Sequence, residues 1–194
     1  VKEIVLASSN PGKVREINQL LATLDLHVQP QSEFGVVDAE ETGLTFVENA
    51  ILKARNAARH TGLPAIADDS GIEVDALKGA PGIYSARYAG SNASDQANLE
   101  KLLAELEGLP EAQRSARFQC LMVFMEHAND PTPVICQGTW EGRILFTARG
   151  DNGFGYDPVF YVPTHDCSSA ELTAEVKNTL SHRGQALRQL VTSL

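Results

Sequence analysis

The first thirty residues constrain the fold most, because they alternate between two hydrophobic patterns. A short apolar run, typical of a buried strand, occupies residues 3–8 (EIVLAS). A helix is predicted over residues 12–24, with apolar side chains at helical spacing at Val14, Ile17, Leu20, Leu21 and Leu24. A second short strand is predicted at residues 26–29. Strand, loop, helix and strand in this order indicate an α/β protein.

The rest of the chain continues this mixture. The further predicted elements are a helix at 46–60, a strand at 64–68, a long loop at 79–90, a helix at 94–107, strands at 115–128 and 133–148, and a helix from about His182. Thr45 and Glu48 form a capping-box pattern, which marks a helix start. The turn NDPTP favours an antiparallel hairpin. We therefore expect a mixed sheet with helices on its faces, in a single domain spanning 1–194.

Composition limits the partners of the chain. The formal net charge is −9, whereas proteins that bind nucleic acids are usually basic, so we expect no nucleic-acid partner. The apolar residues at the N-terminus are too few to cross a membrane, so we expect no membrane association. Three cysteines are widely spaced and contain no CxxC pair, which argues against a zinc or disulfide framework and favours the cytoplasm.

The loop SSNPGK, residues 8–13, follows the first strand and opens the first helix. A helix N-terminus offers free backbone N–H groups and a positive dipole, which together bind phosphate. We expect side-chain hydrogen bonds from Ser8, Ser9 and Asn10 and a positive charge from Lys13. The pattern is not a Walker loop, and the loop also fits an ordinary capped turn.

Two acids stand side by side in ADDSG, at Asp68 and Asp69. One carboxylate beside another becomes a good base, because repulsion raises one of the two pKa values. A divalent cation between them would instead remove the repulsion, and hard oxygen ligands favour Mg²⁺. Glu40 and Glu41 are candidates to complete the acidic cluster. The same residues, with Ser70, also suit a solvated turn.

The second predicted helix has a polar stripe at helical spacing. The stripe comprises Asn49, Lys53, Asn56 and His60. Without other evidence, a solvated helix face is the favoured reading.

The motif GFGYDP, residues 153–158, combines glycines with aromatic side chains. Glycine lets a backbone approach a ligand closely, and aromatic rings offer stacking faces. The pattern favours a binding loop over a hydrophobic hairpin corner.

The motif SHRG, residues 181–184, breaks two local rules at the start of the last helix. His182 and Arg183 would oppose the helix dipole, and Gly184 weakens the first turn. We infer that a bound ligand compensates these cations, with Lys177 as a further donor. A cationic surface patch is the other reading.

Taken in order, these motifs resemble the inosine triphosphate pyrophosphatase family. The resemblance runs from Ile4 to about Leu190 and includes the long runs TFVENAILKA and ADDSGIEVDALKGAPGIYSARYAG. One departure is visible, because Ser9 stands where the family usually has glycine.

The resemblance implies an elongated, two-lobed α/β fold around a central mixed sheet, with a substrate cleft. It implies a homodimer that needs Mg²⁺. The implied reaction hydrolyses ITP, dITP or XTP to the nucleoside monophosphate and pyrophosphate.

The resemblance also implies residue roles. Asp69 would be the general base, and the metal ligands would be Glu41, Asp68 and Asp69. The expected substrate-binding residues are Ser8, Ser9, Asn10, Pro11, Gly12, Lys13, Lys53, Ser70, Phe154, Gly155, Tyr156, Asp157, Lys177, His182 and Arg183. Phe154 would stack on the base, while Lys13 and Lys53 would hold the triphosphate.

Two other functions remain open at this point. A related pyrophosphatase acts on modified pyrimidine nucleotides, although SHRG and FGYDP argue against it. A nucleotide sensor without turnover is the second alternative, although the Asp68–Asp69 pair argues against it.

Overall fold

The computed structural model describes residues 2–22 and 26–194. Its principal elements are β1 (Lys2–Leu6), α1 (Pro11–Leu21), β2 (Leu26–Pro30), α2 (Phe46–Thr61), β3 (Ala65–Val74), α3 (Asp95–Glu105), β4 (Ser115–Met125), β5 (Val134–Ile144), β6 (Phe160–Val162), β7 (Cys167–Ser168), α4 (Ala174–Leu180) and α5 (His182–Ser193). The strands form one sheet in the order β2-β1-β3-β4-β5-β6-β7. Strand β1 is parallel to β2 and β3, whereas β6 is antiparallel to β5 and β7. The predicted α/β class with a mixed sheet is confirmed.

Most predicted elements are present, with shifted ends. Strand β3 continues to Val74, beyond its predicted end at Asp68, and its side chains stay buried or half-buried up to that point. Residues 79–90 contain a 3-10 helix at Gly82–Arg87, and helix α4 was not predicted. Leu24, placed on the first helix by its spacing, lies outside the described residues. All three cysteines are free thiols, as expected.

The chain divides into two compact units. The first comprises the described residues of Val1–Asp69, Cys120–Gly138 and Arg183–Leu194. Alternate residues of a strand point to opposite sides of the sheet, and in this unit both rows of side chains are apolar. One row packs against α1 and α5, and its members include Ile4, Leu6 and Ile66. The other row packs against the alanines of α2, and its members include Val5, Ala65 and Ala67.

The second unit comprises Ser70–Gln119 and Thr139–His182, and it has its own core. Leu99 and Leu102 of α3 and its C-cap residue Leu106 are all buried. They belong to the same cluster as the aromatic residues Phe118, Trp140, Tyr156 and Phe160. Over the described part of the chain, no helix has both the length and the apolar character needed to cross a bilayer.

Candidate active site

The loop between β1 and α1 uses its own side chains to cap the helix. Asn10 is the N-cap, and its Oδ1 accepts hydrogen bonds from the N–H groups of Gly12 (2.9 Å) and Lys13 (3.2 Å). Val14 N–H donates to the Asn10 carbonyl at 3.0 Å, and Pro11 has no N–H to offer. Asn10 thus already satisfies the N–H groups of Gly12, Lys13 and Val14, so these three are not free as the sequence predicted. A phosphate at this loop would meet the helix dipole and the Lys13 side chain.

Asp68 and Asp69 lie inside β3 and are 1% and 5% exposed. Asp68 continues the row of Ile66, which faces α1 and α5, whereas Asp69 continues the row of Ala67, which faces α2. The reading of ADDSG as a solvated turn is therefore wrong. The two acids are neighbours in the chain, but their side chains have different partners.

Asp68 is surrounded by cations. Its Oδ2 lies 3.2 Å from Lys13 Nζ and 3.3 Å from Arg183 Nη2. Its Oδ1 is buried and has no hydrogen-bond partner within the described residues. Burial alone would raise the pKa of this carboxyl, but Lys13, Arg183 and Lys53 outweigh burial and lower the pKa well below its usual range. Asp68 is therefore ionised at any ordinary pH.

Asp69 shares one cation with Glu41. Lys53 Nζ lies 2.9 Å from Asp69 Oδ1 and 3.1 Å from Glu41 Oε1. Burial would lower the Lys53 pKa, but the surrounding carboxylates raise it, so Lys53 remains an ammonium. The reading of Lys53 as part of a solvated helix face is wrong, because its side chain is only 14% exposed.

The Asp69 carboxyl is more basic than an ordinary aspartate. Burial raises its pKa, and the attraction of Lys53 only partly opposes that shift. Adjacent carboxyls whose pKa values are pushed in opposite directions are suited to different chemical roles. Asp69 can take up a proton, whereas Asp68 is held as a fixed negative charge.

Two buried carboxylate oxygens fit a hard cation. Asp69 Oδ2, like Asp68 Oδ1, is buried and accepts no hydrogen bond from the described residues. A bound cation would supply the missing partner, because oxygen ligands suit hard divalent ions. However, no group of three or more His, Cys, Asp or Glu side chains in the described ranges is arranged to hold a metal. The predicted ligands Glu41, Asp68 and Asp69 therefore do not form a preassembled cage.

Arg183, at the start of α5, is 2% exposed. Its guanidinium pairs with Asp68 and with Glu16 of α1. Burial would lower its pKa, but these two carboxylates raise it. The inference that only a ligand compensates this cation is corrected, because the protein's own acids do so. Sequence reasoning missed Glu16, although its spacing from Lys13 places both on one face of α1.

The loop at residues 153–158 is organised by a buried ion pair in the second unit. Asp157 is 3% exposed, and its Oδ2 accepts from Lys177 Nζ (2.7 Å) and from Phe154 N–H (3.0 Å). Its Oδ1 accepts from Ser169 Oγ at 2.9 Å. A Cβ at Gly153 would lie 2.1 Å from Asp157 Oδ2, so the loop requires glycine there. These contacts hold the half-buried Phe154 ring, with Lys177 Nζ 5.0 Å from its centroid.

Two other predicted ligand-binding side chains pack within the second unit. Tyr156 is 5% exposed, and its hydroxyl donates to the Ser85 carbonyl at 2.6 Å. The His182 ring stacks on Phe118, with centroids 4.7 Å apart, and lies 6.3 Å from Trp140. Core packing therefore sets the orientation of both rings.

The remaining predicted residues differ in exposure. Ser8 is buried and Ser70 is half-buried. Ser9 is exposed, and its hydroxyl donates to Asp38 rather than standing open to a ligand. Gly155 has a φ of +60°, and its N–H donates to Asp95 Oδ2 at 2.9 Å.

The predicted site residues fall into two chemical groups. The first unit contains Ser8, Ser9, Asn10, Pro11, Gly12, Lys13, Glu41, Lys53, Asp68, Asp69 and Arg183. The second contains Ser70, Phe154, Gly155, Tyr156, Asp157, Lys177 and His182. Buried cations and acids dominate the first group, which suits phosphate and metal chemistry, while aromatic rings distinguish the second.

A family profile matches the sequence of this chain. The profile described as the Ham1 family covers residues 4–193. The chain belongs to the Ham1 family. The motif resemblance is thereby confirmed over nearly the whole sequence.

Relatives of this Ham1 protein are similar over their full length. A protein of Vibrio parahaemolyticus named dITP/XTP pyrophosphatase is 64% identical over 194 residues, covering 100% of this chain and 97% of the relative. One of Vibrio vulnificus with the same name is 65% identical with the same coverage. A solved HAM1 protein from Coxiella burnetii is 56% identical, with a TM-score of 0.92 over 100% of this chain and 98% of that one.

Proposed function

We propose that this protein hydrolyses deaminated purine nucleoside triphosphates, namely ITP, dITP and XTP, to the monophosphate and pyrophosphate. It thereby removes them from the nucleotide pool before they enter DNA or RNA. The observation that carries the proposal is the full-length identity of 64–65% with relatives named dITP/XTP pyrophosphatase. The buried carboxylates and cations of the first unit support the reaction class.

Asp69 is proposed as the general base. It takes a proton from the water that attacks the α-phosphorus, and its raised pKa suits that task. Lys53, 2.9 Å away, keeps Asp69 ionised against the cost of burial. As the pyrophosphate leaves, the proton gained by Asp69 is released to solvent.

The metal is proposed to be Mg²⁺, held by Glu41, Asp68 and Asp69 directly or through water. Mg²⁺ is usually bound by one or two carboxylates and completes its shell with water and substrate phosphates, so it needs no preassembled cage. When bound, it neutralises charge on the phosphates and the leaving group. Ser8, Asn10, Lys13 and Lys53 contribute the remaining contacts to the triphosphate.

The base is proposed to stack on Phe154, with Arg183 and His182 supplying donors to its 6-keto oxygen. Adenine has a 6-amino donor at that position, which would leave those donors unpaired. Each buried unpaired donor costs about 1–3 kcal/mol, which gives a physical reason for rejecting ATP.

The chain is further proposed to act as one catalytic domain over 1–194, as a cytoplasmic homodimer without nucleic-acid or membrane partners. Light scattering coupled to size-exclusion chromatography would measure the molar mass in solution and hence the number of subunits. A dissected first unit that retains turnover would contradict the single domain.

A triphosphate panel with product identification tests the activity. The wild-type protein with Mg²⁺ should convert ITP, dITP and XTP to the monophosphate and pyrophosphate faster than ATP. Faster cleavage of modified UTP or dUTP would indicate a pyrimidine enzyme, and tight ITP binding without pyrophosphate release would indicate a sensor.

Lys13→Ala should raise KM for every triphosphate by a similar factor. A phosphate contact is common to all bases, so the ITP-to-GTP ratio of kcat/KM should stay near that of the wild type. Steady-state kinetics on both substrates measure this. A strong change in the ratio would show that Lys13 does not act on phosphate.

Lys53→Met should move the acid limb of the kcat/KM profile to higher pH, by about one unit. Removing the cation raises the Asp69 pKa further, so the base is protonated, and activity lost, earlier as pH falls. Lys53→Arg keeps the charge and should leave the limb near its wild-type position. An unmoved limb in Lys53→Met would mean that Asp69 is not the titrating base.

A further inference from the structure

The segment 35–45, called here the Glu41 loop, is fixed to α2 at its C-terminal end. Gly43 N–H donates to Asn49 Oδ1 at 2.8 Å, and Leu44 N–H donates to Glu48 Oε2 at 3.0 Å. A Cβ at Gly43 would lie 2.6 Å from Glu48 Cβ and 2.7 Å from Asn49 Oδ1. The loop therefore approaches the helix more closely than any residue with a side chain would allow at this position.

The other end of the Glu41 loop is fixed through Asp38. Ser9 Oγ donates to Asp38 Oδ2 at 2.6 Å, and the amide of Gln31 donates to Asp38 Oδ1. Asn56 Nδ2 donates to the neighbouring Val37 carbonyl at 2.9 Å. Each Asp38 oxygen thus has its own donor, and the 3% exposed Gln31 ties the exposed carboxylate to buried structure.

Ser9 is the link that reaches across from the predicted phosphate loop. It immediately precedes Asn10, whose side chain fixes the first turn of α1. A residue without a hydroxyl, such as glycine or alanine, could not make the Ser9–Asp38 bond at this position. The contact is therefore a property of this chain's own residue.

We propose that Ser9 and Asp38 form a positioning pair that joins the phosphate loop to the Glu41 loop. The pair holds Glu41 where it contacts Lys53, the cation shared with Asp69. A loop held at both ends does not lose further conformational entropy when a cation binds Glu41, so binding is tighter. The inference rests on the proposed function, in which Glu41 helps to hold the metal.

Matched variants separate the pair from its surroundings. Ser9→Ala and Asp38→Ala each remove the contact, whereas Ser9→Thr keeps a hydroxyl donor. Glu33→Gln removes one exposed negative charge from the nearby 3-10 helix Gln31–Phe34 and serves as the charge control. Ser9 and Glu33 are exposed, so Ser9→Ala, Ser9→Thr and Glu33→Gln should melt at the wild-type temperature. Asp38→Ala also removes the acceptor of the buried Gln31 amide, so this variant should melt at a lower temperature.

Two readouts do not depend on turnover. Amide hydrogen exchange by NMR should be faster at Val36 and Thr42 in Ser9→Ala and Asp38→Ala, because the loop opens more often. Mn²⁺ affinity without nucleotide, measured by electron paramagnetic resonance, should weaken about two- to tenfold in both. In Asp38→Ala, the Mg²⁺ concentration for half-maximal ITP turnover should rise by a similar factor, with kcat at saturating Mg²⁺ nearly unchanged. Ser9→Thr and Glu33→Gln should match the wild type in amide exchange and in Mn²⁺ affinity without nucleotide.

The Ser9→Ala/Asp38→Ala double variant completes the test. If the residues act as one pair, the double variant should be no worse than Asp38→Ala alone, which removes the Ser9 and Gln31 contacts together. Additive losses, or an unchanged Mn²⁺ affinity in the single variants, would overturn the inference even if exchange became faster. If wild-type protein released no pyrophosphate from ITP, the proposed function would be wrong. Amide exchange and Mn²⁺ affinity would still test whether Ser9 and Asp38 position the Glu41 loop.

Discussion

Asp69→Asn should lower kcat for ITP by roughly 10²–10⁴-fold, while ITP binding stays near that of the wild type. The asparagine keeps an oxygen for the 2.9 Å contact with Lys53 but cannot take a proton from water. The substitution therefore removes the proposed base with little change in shape. Single-turnover kinetics at saturating Mg²⁺ and equilibrium binding of ITP measure the two quantities separately.

Asp75→Asn is the matched control, because it makes the same change just after the end of β3. The Asp75 side chain is 49% exposed and pairs with Arg117. Its variant should keep kcat, since it lies among surface ion pairs. Near-normal kcat in Asp69→Asn would exclude Asp69 as the base, whatever the control shows.

Arg183→Met should lower the free energy of unfolding, measured with a chelator present, by about 3–5 kcal/mol. The variant leaves the fully buried Asp68 without one of its cations and Glu16 without its guanidinium partner. The helix dipole acts in the opposite direction, since losing a cation from the first turn of α5 should stabilise the helix by about 0.3–1 kcal/mol. The net effect should be a loss of stability, because losing the buried ion pairs costs more free energy than relieving the helix dipole recovers.

Arg188→Met is the control on the same helix, where the residue is exposed. It should change stability by no more than about 0.5 kcal/mol in urea denaturation. An equal free energy of unfolding for the two variants would show that the ion pairs of Arg183 do not stabilise the protein more than an exposed arginine does. At a temperature where Arg183→Met remains folded, a reduced ITP-to-ATP ratio of kcat/KM would support its proposed base contact, and an unchanged ratio would contradict it.

The sequence by itself determined the fold class and where the chemically relevant motifs lie. Helices α2 and α3 were predictable because Thr45 and Ser94 cap them and their apolar spacing is local information. The family was predictable because several motifs are long and keep their order. The sequence predicted that one of the two adjacent acids would become a base, but not the cause. Burial, rather than mutual repulsion, is the main reason that the Asp69 pKa is raised, and nearby cations lower that of Asp68.

Only the tertiary structure decided which charges meet. Arg183 and Asp68 are 115 residues apart in the chain, and Ser9 and Asp38 are 29 apart. Residue patterns report the preferences of a few neighbouring positions, whereas these contacts depend on the order of the strands and on which helix covers each face. Helix-dipole reasoning therefore assigned Arg183 to a ligand, while the folded chain brings it to two of its own carboxylates. The cations around Asp68 lower its pKa against the effect of burial, whereas burial raises the Asp69 pKa against the attraction of Lys53.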